Sequence, residues 1–146
     1  MRAYVLDPTV YAAILVGGKF FRQATNFLRS AIKSKNVKTL TLDITFREVC
    51  NVIWFNTVIL KRIDSDRALL LATYVGKLIR NSTDEIVPLE TIVREAMDTS
   101  LRLEIPFNRA AYAALALSMG AELITCSKAF EEELRGKGLD IVRRLK

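Results

Sequence analysis

Asp7, Glu48, Arg109 and Ser127 hold the positions from which this chain could do chemistry. Asp7 closes the first β-rich run, and Glu48 lies one turn into the helical segment after the second. Asn108 and Arg109 open the helical segment before the fourth such run, and Ser127 follows that run. Ligands of open α/β sheets bind beyond the carboxyl ends of the strands, so these are the places to inspect. Carboxylates gathered there can hold a hard divalent cation through oxygen, and the ion can activate water and stabilise charge on a phosphate. The chain has no histidine. Ser–His and Cys–His pairs are therefore absent, as is the commonest general base near neutral pH. Chemistry must rest on carboxylates, lysines or a metal.

The elements that position these groups have to come from 146 residues, a length that suits one domain with a substantial core. A composition of 51% hydrophobic and 26% charged residues, with 6 Gly and 3 Pro, is that of a folded chain and excludes disorder. Cys50 and Cys126 lack CxxC spacing and have no histidine to complete a zinc site, so both read as small buried apolar side chains. The longest apolar stretches, Thr9 to Val16 and Tyr112 to Leu117, fall short of the ~20 residues that span a bilayer. Met1 to Asp7 reads as a strand without a signal-peptide pattern, and a soluble cytoplasmic protein with no membrane role is expected.

Short β-rich runs alternate with longer stretches of helical period, the pattern of a parallel sheet covered on both faces. The predicted strands are Ala3 to Leu6, Thr39 to Leu42, Glu85 to Val87, Glu122 to Thr125 and Asp140 to Val142. Val49, Val52, Ile53, Asn56, Ile59 and Leu60 recur at helical spacing, and Leu69, Ala72, Tyr74, Leu78 and Ile79 continue the crossover. Ile92 to Leu103 and Asn108 to Met119 give two more helices, parted at Ile105 and Pro106. Thr9 to Val16 is apolar almost all round and should be covered on both sides, by the sheet and by another element or subunit.

On three stretches the sequence resembles a PIN domain of the VapC toxin group: Leu6 to Thr9 (LDPT), Glu48 to Trp54 (EVCNVIW), and Ile92 onward through LEIPFNRAAYAALALSMGAELITCSKAF. The resemblance covers nearly the whole chain and implies one domain over residues 1–146, an α/β/α sandwich with a mainly parallel sheet of about five strands. It also implies a Mg²⁺- or Mn²⁺-dependent endoribonuclease, a homodimer, and inhibition by a small antitoxin. That chemistry uses a cluster of about four acidic residues at the strand ends. Asp7 and Glu48 match two of those positions, with Thr9 matching the accompanying hydroxyl. Arg109 stands where the third acid is usual, and Ser127, two residues after Thr125, where the fourth is.

The resemblance therefore points to an incomplete cluster. Asp7, Glu48 and Arg109 together would carry about one net negative charge, a poor setting for a divalent cation. A guanidinium fork fits carboxylates, so Arg109 is expected to bridge Asp7 and Glu48 where a metal would sit, with no cofactor held. A cation in the first turn of a helix opposes the macrodipole and so calls for such a partner. Local structure offers plainer roles: Asp7–Pro8 as a helix start, Thr45 with Glu48 as a capping box, and Asn108 and Ser127 as caps.

Lys and Arg outnumber Asp and Glu by 22 to 16, and the net charge of +6 would draw polyanions such as RNA. Basic residues cluster at Arg22, Arg29, Lys33, Lys35 and Lys38 and again at Arg135, Lys137, Arg143, Arg144 and Lys146. No aromatic residues interleave with them, so solvated helix faces are the simpler account. Phe20, Phe21, Trp54 and Phe55 read as core or dimer interface. The expected function is a PIN-type protein impaired in cleavage that binds RNA or an antitoxin-like partner. The alternative is an active endoribonuclease in which Asp7 and Glu48 hold one metal, helped by Asn108 and Ser127.

Overall fold

A computed structural model describes residues 1–146. The strands are β1 (Arg2–Leu6), β2 (Val37–Leu42), β3 (Glu85–Val87), β4 (Glu122–Thr125) and β5 (Val142–Arg144). They form a single parallel sheet in the order β3-β2-β1-β4-β5. The helices are α1 (Pro8–Val16), α2 (Phe21–Lys33), α3 (Thr45–Trp54), α4 (Ser65–Ser82), α5 (Val93–Leu103), α6 (Phe107–Met119) and α7 (Lys128–Gly136).

Alternation along the strands sorts the helices into two layers. Tyr4 and Leu6 of β1 and Ile124 of β4 face a core shared with residues of α1, α2, α3 and α4. Val5, Leu40, Leu42 and Leu123 face the opposite core, filled by Ala96 of α5, the buried alanines of α6, and Phe130 and Leu134 of α7. The result is a three-layer α/β/α sandwich. Small residues let α6 lie close to the sheet: Ala110, Ala111, Ala113, Ala114 and Ala116 are all buried. The all-round apolarity of α1 has its cause here, since α2, α3 and α4 pack against it within the same chain.

The structure differs from the sequence reading in several places. Strand β5 lies two residues later than Asp140 to Val142, because its register is set by β4, with Leu123 opposite Val142 and Thr125 opposite Arg144. The helix expected through Leu60 ends at Trp54 and continues as a π-helical turn over Phe55–Ile59. The wider turn rotates Asn56 inward, while Ile59 and Leu60 stay exposed. Helix α2 was not predicted, although its buried Ala24, Leu28 and Ala31 have helical spacing. Of the residues read as core or dimer interface, Phe21, Trp54 and Phe55 are exposed and belong to no core of the single chain, and Cys50, read as buried, is exposed while Cys126 is buried.

A buried hydroxyl chain ties the two layers through the sheet. The Thr41 hydroxyl donates to the Leu6 carbonyl at 2.7 Å, so at its 2.8 Å contact with Thr45 it must accept. Thr45 has then spent its proton, and Tyr112 donates to it at 2.7 Å. Tyr112→Phe removes the end donor and leaves the rest intact. We expect it to lower stability by about 1 kcal/mol in urea unfolding, with the unfolding slope unchanged.

Candidate functional site

The β1 end lies at the point where the chain reverses its direction of winding, with β2 on one side and β4 on the other. Asp7 stands there as the N-cap of α1, Pro8 beginning the helix, as the local reading expected. Its side chain is only 2% exposed. The Thr9 N–H donates to Oδ1 at 2.9 Å, the Thr9 hydroxyl donates to the same oxygen, and the Thr125 hydroxyl donates to Oδ2 at 2.6 Å. Both hydroxyls are aimed by backbone donors, Cys126 N–H to Thr9 Oγ1 at 2.8 Å and Ser127 N–H to Thr125 Oγ1 at 2.9 Å. Burial nevertheless prevails over these bonds and pushes the Asp7 carboxyl up to about 6.

Glu48 comes from the first turn of α3 and faces the same cleft. No capping box forms: Ile44 is the N-cap, and the Thr45 hydroxyl is committed to the buried chain described above. Glu48 Oε1 is buried without a hydrogen-bond partner. Desolvation pushes this carboxyl up to about 7, with Arg47 opposing and the Asp7 charge adding to the rise.

Asp7, Thr9, Glu48, Asn108, Arg109, Tyr112 and Ser127 line one cleft of about 200 Å³. Tertiary structure thus gathers the predicted residues, but it corrects the role of two. Arg109 does not bridge Asp7 and Glu48. Its guanidinium forms a bidentate pair with Glu133 of α7, Nε to Oε1 at 2.7 Å and Nη2 to Oε2 at 2.9 Å. The reason is geometric: α6 and α7 lie on the same face of the sheet, and Glu133 offers a carboxylate free of competing hydrogen bonds. The pair holds the Glu133 carboxyl below its ordinary range. Asn108 is not a cap, because α6 starts at Phe107 with Pro106 before it. Ser127 does cap α7, accepting from the Phe130 N–H at 3.1 Å.

The sequence reading missed Glu133, Tyr112 and Thr45 as neighbours of the site. Glu133 sits in a run of three glutamates, and nothing local marks which of them meets Arg109. The donor set fits a divalent cation only in part. No group of three or more His, Cys, Asp or Glu side chains comes together, and Asp7 already accepts three protein hydrogen bonds. Glu48 Oε1 is the buried carboxylate oxygen of the cleft that lacks a donor. It fits either a proton or one cation completed by water.

No family model matches the chain, and neither does any curated protein. Among solved structures it is similar to PAE2754 from Pyrobaculum aerophilum, with a TM-score of 0.64 and 19% identity over 98% of this chain and 89% of that one. At that identity the likeness shows the fold, an α/β/α sandwich on a parallel five-stranded sheet. No helix is long and apolar enough to cross a membrane.

The raised Glu48 and Asp7 carboxyls bind protons more tightly in the folded chain than in the unfolded one. Their stabilisation is complete below the ordinary carboxylate range and is lost as pH rises towards about 7. Without added metal, the urea midpoint should therefore fall between pH 4.5 and 7, and Glu48→Gln should reduce that slope, leaving the part due to Asp7. Arg109→Ala should cost no more than about 1 kcal/mol, because the pair with Glu133 is partly solvated. It should also leave the Glu48 carboxyl titrating as in the natural chain, read by carbon-detected NMR; a rise would restore the bridge to Glu48.

Proposed function

We propose that residues 1–146 form a PIN-type domain of the VapC-toxin-like group whose nuclease site is catalytically impaired. It acts in the cytoplasm by binding RNA or an antitoxin-like partner, as a homodimer. One observation carries this reading: the cleft at the strand ends holds two carboxylates, Asp7 and Glu48, and the position expected to supply a third holds Arg109, paired outward to Glu133. Ser127, at the fourth position, is spent on capping α7. A site built for metal-assisted cleavage would need oxygen ligands to hold the ion and a water beside the phosphate. In this chain Thr9 and Thr125 use their protons to stabilise Asp7, which makes Asp7 a structural anchor before it is a ligand.

A second reading is favoured by the unpaired Oε1 of Glu48. Because Arg109 is neutralised elsewhere, the cleft is more negative than the sequence alone suggested, and Mg²⁺ keeps several waters when it binds. In that reading the chain is a Mg²⁺- or Mn²⁺-dependent endoribonuclease using one ion at Asp7 and Glu48.

Titration calorimetry of Mn²⁺ and Mg²⁺ separates the two. The natural chain is expected to bind neither ion below millimolar concentration, and the Arg109→Asp, Ser127→Asp double variant to gain binding by at least about tenfold, as added carboxylates strengthen a hard-cation site. Micromolar binding by the natural chain, together with RNA cleavage abolished by a chelator and by Asp7→Asn, would establish the ribonuclease reading instead.

A further inference from the structure

Behind the acid cleft lies a second cavity, of about 390 Å³, that shares Thr9 and Val52 with it. Half of its lining is apolar, including Ala12 and Val16 of α1, Phe20, Val52, Ile63 and the buried Cys126. Lys19, whose ammonium lies 5.6 Å from the centre of the Phe20 ring, Arg62 and Arg67 also line it, and no acidic residue does. None of the three cations forms an ion pair with a carboxylate of the chain. The nearby Asp64 is committed as the N-cap of α4, accepting from the Arg67 N–H at 2.8 Å.

Such a lining selects by chemistry. Two arginines and a lysine that line one cavity with no acidic residue and no ion-pair partner favour an anion with several oxygens, which matches the guanidinium forks. The apolar half of the lining adds nothing to the binding of a bare inorganic ion and suits a flat, weakly polar body joined to the anion. The volume lies at the small end of the range for organic ligands, roughly 300 to 1,000 Å³. Gly17 and Gly18, with φ of +83° and +99°, turn the chain at the rim, and nothing lies within 4 Å of where a side chain would begin at either position. The rim there stays open. In the same turn, the N–H groups of Gly18 and Lys19 have no backbone acceptor, adding donors of the kind that surround bound phosphates.

We propose that this cavity is a binding site for a nucleotide phosphate monoester, the base lying against its apolar residues and the phosphate held by Arg62, Arg67 and Lys19. The assignment rests on the cations and the cavity and stands independently of the reading of the acid cleft. The phosphate monoester can belong to a free nucleoside monophosphate or to the phosphorylated end of an RNA strand.

The test is calorimetric titration in EDTA, so that no metal bound at Asp7 or Glu48 contributes. The probes are AMP, adenosine, and a short single-stranded RNA with and without a 5′-phosphate. AMP is expected to bind at least about tenfold more tightly than adenosine, the size of effect one strong charge-assisted contact provides. Arg62→Glu with Arg67→Glu should abolish that binding, whereas Arg29→Glu with Lys33→Glu, an equal change of charge on α2, should leave it within about twofold. All four positions are exposed, and an unchanged thermal unfolding curve verifies folding. If AMP is silent but the RNA binds only when 5′-phosphorylated and only with Arg62 and Arg67 present, the ligand is a strand end. Equal binding of AMP and adenosine, equal loss in both double variants, or no binding by AMP or phosphorylated RNA at millimolar concentration would overturn the proposal.

Discussion

A buried carboxylate at the end of the central strand constrains much of what surrounds it. Asp7 is withdrawn from water, and an ionised group so placed is tolerable only if hydrogen-bond donors replace the lost solvent. Thr9 and Thr125 supply those donors, and each hydroxyl is in turn aimed by a backbone N–H from the segment after β4. The arrangement therefore fixes β1 against β4 at the C-terminal edge of the sheet. It also fixes the start of α1, whose N-cap is the same carboxylate. The candidate cleft and a structural joint occupy one place, at the strand end where donors converge on Asp7.

Charge around this joint is divided between two pairs of elements. Asp7 and Glu48, from the layer of α1 and α3, share a cleft, and the Asp7 charge adds to the burial that discourages ionisation of Glu48. Arg109 and Glu133, both from the opposite layer, satisfy each other at its rim. Arg109 thus leaves the acids to burial, and burial holds both above the ordinary carboxylate range. A cleft in which protons compete with cations near neutral pH differs in kind from a dense acidic cluster that stays ionised. This contrast underlies the proposal of an impaired nuclease, and the unpaired Glu48 oxygen keeps a single-ion alternative open to experiment. The neighbouring cavity, lined by three cations and no acid, shares Thr9 and Val52 with this cleft.

The fold was legible because its signals are periodic and local. Glu85 to Val87 and Glu122 to Thr125 were located to the residue, each being a short apolar run between polar punctuation. Strand β5 was misplaced by two residues because Ile141, Val142 and the arginines after it carry no marker of register, which β4 alone sets. The π-helical turn escaped notice for a related reason. A single wide turn shifts which side chains face inward without altering the composition of the segment, so Ile59 and Leu60 had the spacing of a buried face and emerged on the surface. Alternation within β1, by contrast, sent Tyr4 and Leu6 to one core and Val5 to the other as a strand requires.

By itself, the sequence determined the class of fold, and it marked the strand ends, with Asp7, Glu48, Arg109 and Ser127, as the places to inspect for chemistry. Those conclusions depend on residue type and near-neighbour spacing, which the chain carries explicitly. Only the tertiary structure decided the partner of each group. Arg109 had carboxylates available in Asp7, Glu48 and a run of glutamates in α7, and the packing of α6 beside α7 selected Glu133. Likewise, Lys19, Arg62 and Arg67 are unremarkable surface residues until α1, α3 and α4 enclose a cavity between them. Pairings of this kind depend on distances between segments far apart along the chain, and composition and period are silent about such distances.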